Sequence, residues 1–323
     1  MTDVPPPTRR RWRWPGETGP LAALVAVYLL FVLISPDNFG RALIVETMVR
    51  QTVVVAILSV GMTLVIIKGG IDLSVGSVVA LTTVVCARVS QSDPGVGFVV
   101  LAGLGVGVAA GLLNGIFVAW LRITPFIVTL ATMSITRGTA KGISDQKMID
   151  GHTYGLDAWM SAVPADSHAL VPAGVWLAVA VALAAGVLLH FTPLGRHIVA
   201  IGSNALTARL CGVSVERVTA ITYALMGLLG GIAGLMEFAT LTVGDPTDSI
   251  GLELDVIAAV VIGGGSLSGG RGSIAGAIFG ALLMTVIKMG ANTIGLDNWV
   301  QEILTGIIIL IAVGLDRLRA PAT

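Results

Sequence analysis

Two glycine-rich octets, each carrying a serine, interrupt the apolar sequence at positions 69–76 and 263–270. Both read Gly-Gly-x-x-Leu-Ser-x-Gly, and each follows an apolar run that ends in an isoleucine. The first octet contributes Asp72 and Ser74, whose carboxylate and hydroxyl can cap a helix or contact a polar solute. Glycine-interrupted, short apolar segments in two halves of a chain indicate the pathway of a transporter. These residues therefore predict movement of a solute rather than its covalent transformation.

Each candidate polar residue has a second, structural interpretation. Asp72 and Ser74 either shape a gate at the start of a half-helix or form a purely structural N-cap that satisfies free amides. Glu253 and Asp255 either line an outer vestibule that accepts sugar hydroxyls or are favoured by the dipole of a helix N-terminus. Asn114 either faces the pathway or bonds across packed helices.

The rest of the chain is typical of a membrane protein. It is 55% hydrophobic and 12% charged, with a mean hydropathy of +0.92, whereas soluble domains contain about 25% charged residues. A helix needs about 20 residues to cross the hydrocarbon core, and the segments 75–87 and 252–262 beside the octets are shorter. The sequence predicts an all-α polytopic membrane protein with about ten transmembrane helices, or eight or nine if some segments are re-entrant. The predicted segments are 21–34, 49–67, 75–87, 97–121, 125–143, 170–191, 218–241, 252–262, 274–289 and 299–315.

Basic residues set the expected orientation. With ten spans and the N-terminus inside, the cytoplasmic segments hold most of the Lys and Arg residues, so both termini are expected in the cytoplasm. The organisation is a basic N-terminal tail over 1–19, a transmembrane domain over 20–318 and a C-terminal tail over 319–323. The basic tail and first apolar run could also form a secretory signal, but no small-x-small cleavage site follows. The basic residues of the first tail are Arg9, Arg10, Arg11 and Arg13.

The predicted cytoplasmic loop 192–217 contains a short helix with clear start and stop signals. Asn204 is a favourable N-cap, and Gly212 is a favourable C-terminal stop. About two turns of alanine-rich helix separate these residues, with glycine on both sides. Such a segment is expected to dock on a partner.

The loop and the first octet resemble a known family. The pattern Gly-x-Asn-x-x-x-Ala-x-x-x-Gly-Val-x-Val over 202–215 resembles the coupling helix of importer-type ABC transporter permeases. The octet 69–76 resembles the signature of the ribose-type, sugar branch of these permeases, and the segments 114–115, 124–130 and 252–264 agree with it. Thr207 replaces the first residue of the usual Ala-Ala pair. The resemblance implies that coupling to the ATPase involves Gly202, Asn204, Ala208, Arg209, Gly212 and Val213.

The resemblance also implies a function and a set of partners. The expected function is translocation of a pentose or hexose across the inner membrane by the ABC importer permease fold. Cytoplasmic ABC ATPase subunits, a periplasmic or lipid-anchored sugar-binding protein and a second permease copy, as a homodimer, are the implied partners. Membrane lipid surrounds the chain, and no nucleic acid is implied. ATP and Mg²⁺ are expected in the ATPase subunit, with no cofactor in this chain.

Several other classes of protein are disfavoured. The segment 265–273 has Arg271 and Gly272 where a phosphate loop needs lysine and serine or threonine, so no catalytic residues and no enzyme activity are expected. Cys86 and Cys211 lie far apart in sequence, and no metal site is expected. A permease for a branched-chain amino acid or nucleoside is the alternative within the class. An ion-coupled secondary transporter or a passive channel would leave the coupling-type loop without a role.

Overall fold

The computed structural model describes residues 18–163 and 171–319 of the chain. The predicted basic tail, including its four arginines, lies outside the described residues apart from Thr18 and Gly19. The predicted C-terminal tail also lies outside them after Arg319.

Helices make up nearly all of the regular structure, and each of the ten predicted apolar segments corresponds to one helix. The all-α prediction is therefore confirmed. The only β-structure in the described ranges is a two-residue antiparallel pair, in which Ile149 is opposite Gly244. A 3₁₀ turn covers Leu156–Trp159. In chain order the elements are α1 (Thr18–Ile34), α2 (Pro36–Phe39), α3 (Ala42–Ile67), α4 (Val75–Ser90), α5 (Val96–Ala119), α6 (Pro125–Ile143), β1 (Ile149–Asp150), α7 (Ala173–Phe191), α8 (Pro193–Ser203), α9 (Ala205–Leu210), α10 (Val215–Leu241), β2 (Val243–Gly244), α11 (Leu252–Ile262), α12 (Ile274–Thr293) and α13 (Asn298–Arg319).

Helix length separates full spans from half-helices. Among the described residues, the five helices α3, α5, α7, α10 and α12 are long and apolar enough to cross a membrane. By contrast, α4 has 16 residues and α11 has only 11. These two short helices adjoin the octets, as the sequence predicts. The count of ten spans stays a prediction.

Helices α5 and α10 pack closely through glycines. A β-carbon placed on Gly111 of α5 would lie 2.8 Å from the Cα of Gly227 on α10. On the same faces, a β-carbon on Gly107 would lie 2.5 Å from the backbone nitrogen of Gly231. Small residues allow helix backbones to approach closely, which is the usual source of packing energy between helices in a membrane. The glycines on the facing sides of α5 and α10 therefore bring the two helix backbones into direct contact.

The two octets end their preceding helices in the same way, but with a register offset of one residue. Gly69 and Gly264 both have φ +91°. Gly70 N–H donates to Val65 O at 2.9 Å after α3, and Gly265 N–H donates to Val260 O at 2.8 Å after α11. This is the hydrogen bond of a Schellman motif with glycine in the left-handed conformation. The sequence repeat aligns Gly69 with Gly263, whereas the backbone aligns it with Gly264.

Candidate functional site

The N-termini of the half-helices α4 and α11 meet inside the bundle. A β-carbon on Gly76, in the first turn of α4, would lie 2.7 Å from Glu253 Oε2 and 3.5 Å from Leu252 Cβ in α11. Only glycine permits this approach. The positive ends of both helix dipoles are therefore directed to one place, where they favour carboxylates and the oxygens of a solute.

A buried polar network holds the loop that precedes α4. Asp72 is 2% exposed, and its Oδ1 accepts hydrogen bonds from Ser74 N at 2.9 Å and Ser74 Oγ at 2.6 Å. Asn114 on α5 is fully buried and donates from Nδ2 to Asp72 Oδ2 at 3.3 Å and to Ser74 Oγ at 3.0 Å. Thr132 on α6 donates to Asn114 Oδ1 at 2.6 Å. The network therefore fixes the start of α4 against α5 and α6.

The network lies at the start of α4, where the capping interpretation predicts it, but its hydrogen bonds are not those of an N-cap. Ser74 is the N-cap residue of α4, but its side chain makes no capping hydrogen bond. Its hydroxyl donates to Asp72 instead. Thr132 is not among the site residues predicted from the sequence, although the sequence contains a signal for it. Thr129, Thr132 and Thr136 recur at helical spacing on α6, and all three are buried.

Tyr223 and Lys68 lie beside this loop and were also missed. Tyr223 on α10 is fully buried, and its hydroxyl has no hydrogen-bond partner within the described ranges. Lys68, the residue after α3, holds its Nζ 5.3 Å from the centre of the Tyr223 ring, which is a cation–π contact. Burial lowers the pKa of Lys68 from 10.5 to about 8. Sequence gives no signal for a contact between residues so far apart in the chain.

Arg137 on α6 binds the loop that leads into α11. Its Nη1 donates to Pro246 O at 2.9 Å and to Asp248 O at 2.6 Å. Glu253 and Asp248 both lie within electrostatic range of the guanidinium, and Glu237 on α10 lies within range of Asp248. Arg137 is not among the site residues predicted from the sequence. The structure makes it the cation at the junction of the half-helices.

Glu253 and Asp255 do not share one site, although both lie in the first turn of α11. Asp255 is 4% exposed and pairs with Lys288 of α12. Glu253 instead faces Gly76 and the Arg137 cluster. The separation follows from helix geometry, because residues two apart lie about 200° apart around a helix. Asp255 thus ties α11 to α12. In the residues that the structure describes, no group of three His, Cys, Asp or Glu side chains is arranged to hold a metal ion.

The predicted short helix of loop 192–217 is α9, and both of its end signals are confirmed. Asn204 Oδ1 accepts from Thr207 N at 2.9 Å at the start of the helix. At its end, Gly212 has φ +85° and donates to Arg209 O, while Val213 N–H donates to Ala208 O, both at 3.0 Å. These two bonds form a Schellman motif.

One side of α9 packs on the protein and the other is exposed. Ala208 is buried in a cluster that includes Val218 of α10, and Val213 packs against the same cluster. Leu206 and Leu210 are 70% and 80% exposed. Arg209 forms an ion pair with Glu216 at the start of α10. The exposed leucines leave an apolar surface at this end of the bundle.

The family model and the relatives that match the chain are all transport permeases. The family model described as "Branched-chain amino acid transport system / permease component" matches residues 44–313. The chain is 40% identical over 307 residues to the ribose import permease protein RbsC of Escherichia coli K12, covering 94% of both chains. It is 36% identical over 320 residues to RbsC of Bacillus subtilis, covering 97% of both.

A third relative carries a different sugar in its name. The chain is 36% identical over 322 residues to the L-arabinose transport system permease protein AraH of Escherichia coli K12, covering 95% of this chain and 92% of the relative. No solved structure matches the chain significantly. The relatives compared above are named as sugar permeases. This multi-pass membrane protein therefore belongs to the family of branched-chain amino acid transport system permease components.

Proposed function

We propose that the chain is the membrane-spanning subunit of an ABC importer that translocates a monosaccharide and is powered by a separate ATPase subunit. One observation carries the proposal: relatives that align over nearly the whole chain are named as permeases for ribose and L-arabinose. The family description names branched-chain amino acids, but these relatives favour a sugar. A chain that only moves the solute needs no catalytic residue of its own.

The end of the bundle that carries α9 is proposed to face the cytoplasm of an inner membrane. Leu206 and Leu210 supply an apolar contact for an ATPase subunit, and Gly202, Asn204, Arg209, Gly212 and Val213 shape the loop that presents them. ATP and Mg²⁺ bind that partner. Both chain termini are proposed to lie on this side. A periplasmic or lipid-anchored binding protein delivers the sugar to the opposite end, and two copies of the chain form a homodimer.

The solute path is proposed to pass the point where α4 and α11 meet. Glu253 and Arg137 offer an acceptor and donors for sugar hydroxyls there. Asp72, Ser74 and Asn114 hold the start of α4 in place as part of the gate, because their mutual hydrogen bonds already use their polar atoms. Asp255 keeps α11 aligned through Lys288.

Reconstitution in liposomes tests the proposal. The chain is reconstituted alone, with its ATPase and binding protein, and with an ATPase variant that cannot hydrolyse ATP. Uptake of labelled pentoses, hexoses, leucine and a nucleoside is followed in each case. Sugar uptake only with the complete, active set is the expected result. Uptake of leucine or of the nucleoside, but of no sugar, would show that the proposed substrate class is wrong. Uptake by the chain without ATPase would overturn the ABC assignment.

A further inference from the structure

Gly202, near the end of α8, lies at a crossing of three chain segments. A β-carbon on Gly202 would lie 2.6 Å from Gly270 N and 2.9 Å from Ile67 C, and it would overlap Ile67 O. Ile67 is the last residue of α3, and Gly270 belongs to the second octet. The end of α8, next to α9, therefore touches the backbone just before the first octet and within the second.

The contacts at this crossing are made by backbone atoms. Gly270 N–H donates to Ile67 O at 2.7 Å. A β-carbon on Gly269 would lie 2.7 Å from Gly202 O and 3.2 Å from Gly69 Cα. We call the residues Ile67, Gly69, Gly202, Gly269 and Gly270 the glycine junction. The backbones of the three segments are in direct contact, with no flexible side chain between them. A displacement of one segment must therefore displace the others as well.

Each segment leads directly to a part of the proposed transport machinery. Gly202 is two residues before Asn204, the cap of α9. Gly69 is three residues before Asp72, which fixes the start of α4. Gly269 and Gly270 lie between α11 and α12. The junction thus connects the exposed coupling surface to both half-helices.

We infer that the glycine junction is a positioning element for transport, which makes the loops of α4 and α11 move together with α8 when an ATPase acts on α9. This inference rests on the proposed importer function. It assigns to α8, rather than to α9 alone, the transfer of motion into the membrane. Gly202 is a positioning residue in this scheme, since it lies away from the proposed sugar path.

The substitution Gly202→Ala tests the junction. Alanine favours a helix interior more than glycine does, so α8 itself should not suffer, but the added methyl group forces Ile67 O and Gly270 N apart. We expect sugar transported per ATP hydrolysed to fall about tenfold or more, a ratio that counts only the ATPase that is bound and active. Gly186→Ala on α7 is the matched control, because a β-carbon there has nothing within 4 Å. It should leave transport unchanged.

Hydrogen–deuterium exchange on the wild-type complex gives a second readout that does not depend on a variant folding. ATP binding by the assembled complex is expected to change protection in residues 67–74 and 265–273 together, and Leu210→Glu, which weakens docking, should abolish both changes. Full transport by Gly202→Ala, or a change in only one octet, would overturn the inference. Absence of ATP-driven sugar uptake by the wild-type complex would instead overturn the proposed function.

Discussion

Asn114 on α5 donates a hydrogen bond to Asp72, a residue 42 positions earlier in the chain that lies in the loop before α4. The same amide nitrogen also donates to Ser74. One side chain thus binds two residues of the segment 70–74, which has no regular secondary structure of its own. This single amide joins α5 to the start of a half-helix, so it is the natural place to test what holds that half-helix.

Replacing Asn114 by leucine should destabilise the protein by about 2–4 kcal/mol, because Asp72, Ser74 and Thr132 each lose a partner while buried. Thermal unfolding in detergent measures the effect, and transport should fall with it. Ser134→Ala is the control, since Ser134 is exposed on α6 and bonds only within its own helix. Equal melting temperatures for the Asn114 variant and wild type would show that the network does not hold α4.

Gly111→Ala should lower the free energy of unfolding by about 1–3 kcal/mol, the usual cost of overpacking, because it disturbs the contact between α5 and α10. The added methyl group would lie 2.8 Å from the Cα of Gly227, where only backbone can yield. Gly105→Ala on the same helix is the matched control, because a β-carbon there has open space around it. Melting curves of the two variants should separate clearly, and superimposable curves would contradict the packing argument.

Arg137→Lys keeps the charge, but the lysine side chain ends one bond short of the position of Nη1, the nitrogen that donates to both Pro246 O and Asp248 O. We expect sugar uptake to fall while ATPase stimulation by the permease is retained, because the loop into α11 is no longer fixed. Uptake and ATP hydrolysis are measured in the same liposomes. Lys141→Arg, farther along α6, is the control, and wild-type uptake by Arg137→Lys would remove Arg137 from the path.

Leu210→Glu places a charge on the exposed face of α9 and should leave the melting temperature unchanged, because Leu210 is 80% exposed. Binding of the ATPase subunit should weaken strongly, which co-purification and surface plasmon resonance can measure. Cys211→Ser is a neighbouring exposed control. Undiminished ATPase binding by the Leu210 variant would mean that the partner docks elsewhere.

The pKa of Lys68 gives a prediction with a defined pH range. Burial lowers this pKa to about 8 from its ordinary value of 10.5. Between these values the unfolded chain binds a proton that the folded chain lacks, so the free energy of unfolding should rise with pH over that range, by about 3 kcal/mol in all. Lys68→Gln should remove this rise.

NMR of ¹³C-methylated lysines can measure the titration directly, because the only other lysines are Lys141, Lys147 and Lys288. Lys68→Arg assigns the signal. A midpoint near the ordinary value would show that the amine is hydrated in the folded protein.

Local features of the structure could be predicted from the sequence, and long-range contacts could not. The ends of α9 follow from Asn204 and Gly212 alone, because capping uses atoms within a few residues. The apolar segments likewise give the helices. Aligning the two octets by sequence, however, misaligns the two backbone turns by one residue. A helix ends where its hydrogen bonds end, and this position differs from the one at which the two sequences match.

The contacts within the candidate site are also long-range and could not be predicted from the sequence. Asp72, Ser74 and Asn114 could be selected because polar residues inside apolar segments are rare, but their mutual bonds depend on how α5 packs beside α4. Tyr223 could not be selected, since tyrosine is ordinary in a core. Glu253 and Asp255 looked like a pair in sequence, but helix rotation sends them to different neighbours.

The two ends of α9 have an energetic consequence for a moving part. Asn204 satisfies an amide at its start, and the turn at Gly212 satisfies carbonyls of Ala208 and Arg209 at its end. A helix normally leaves such groups to water or to neighbouring segments. Because α9 closes these bonds within its own short sequence, it can shift across the protein surface without leaving its terminal backbone groups unsatisfied. The barrier to its displacement is then set by side chains, namely the apolar packing of Ala208 and the ion pair between Arg209 and Glu216.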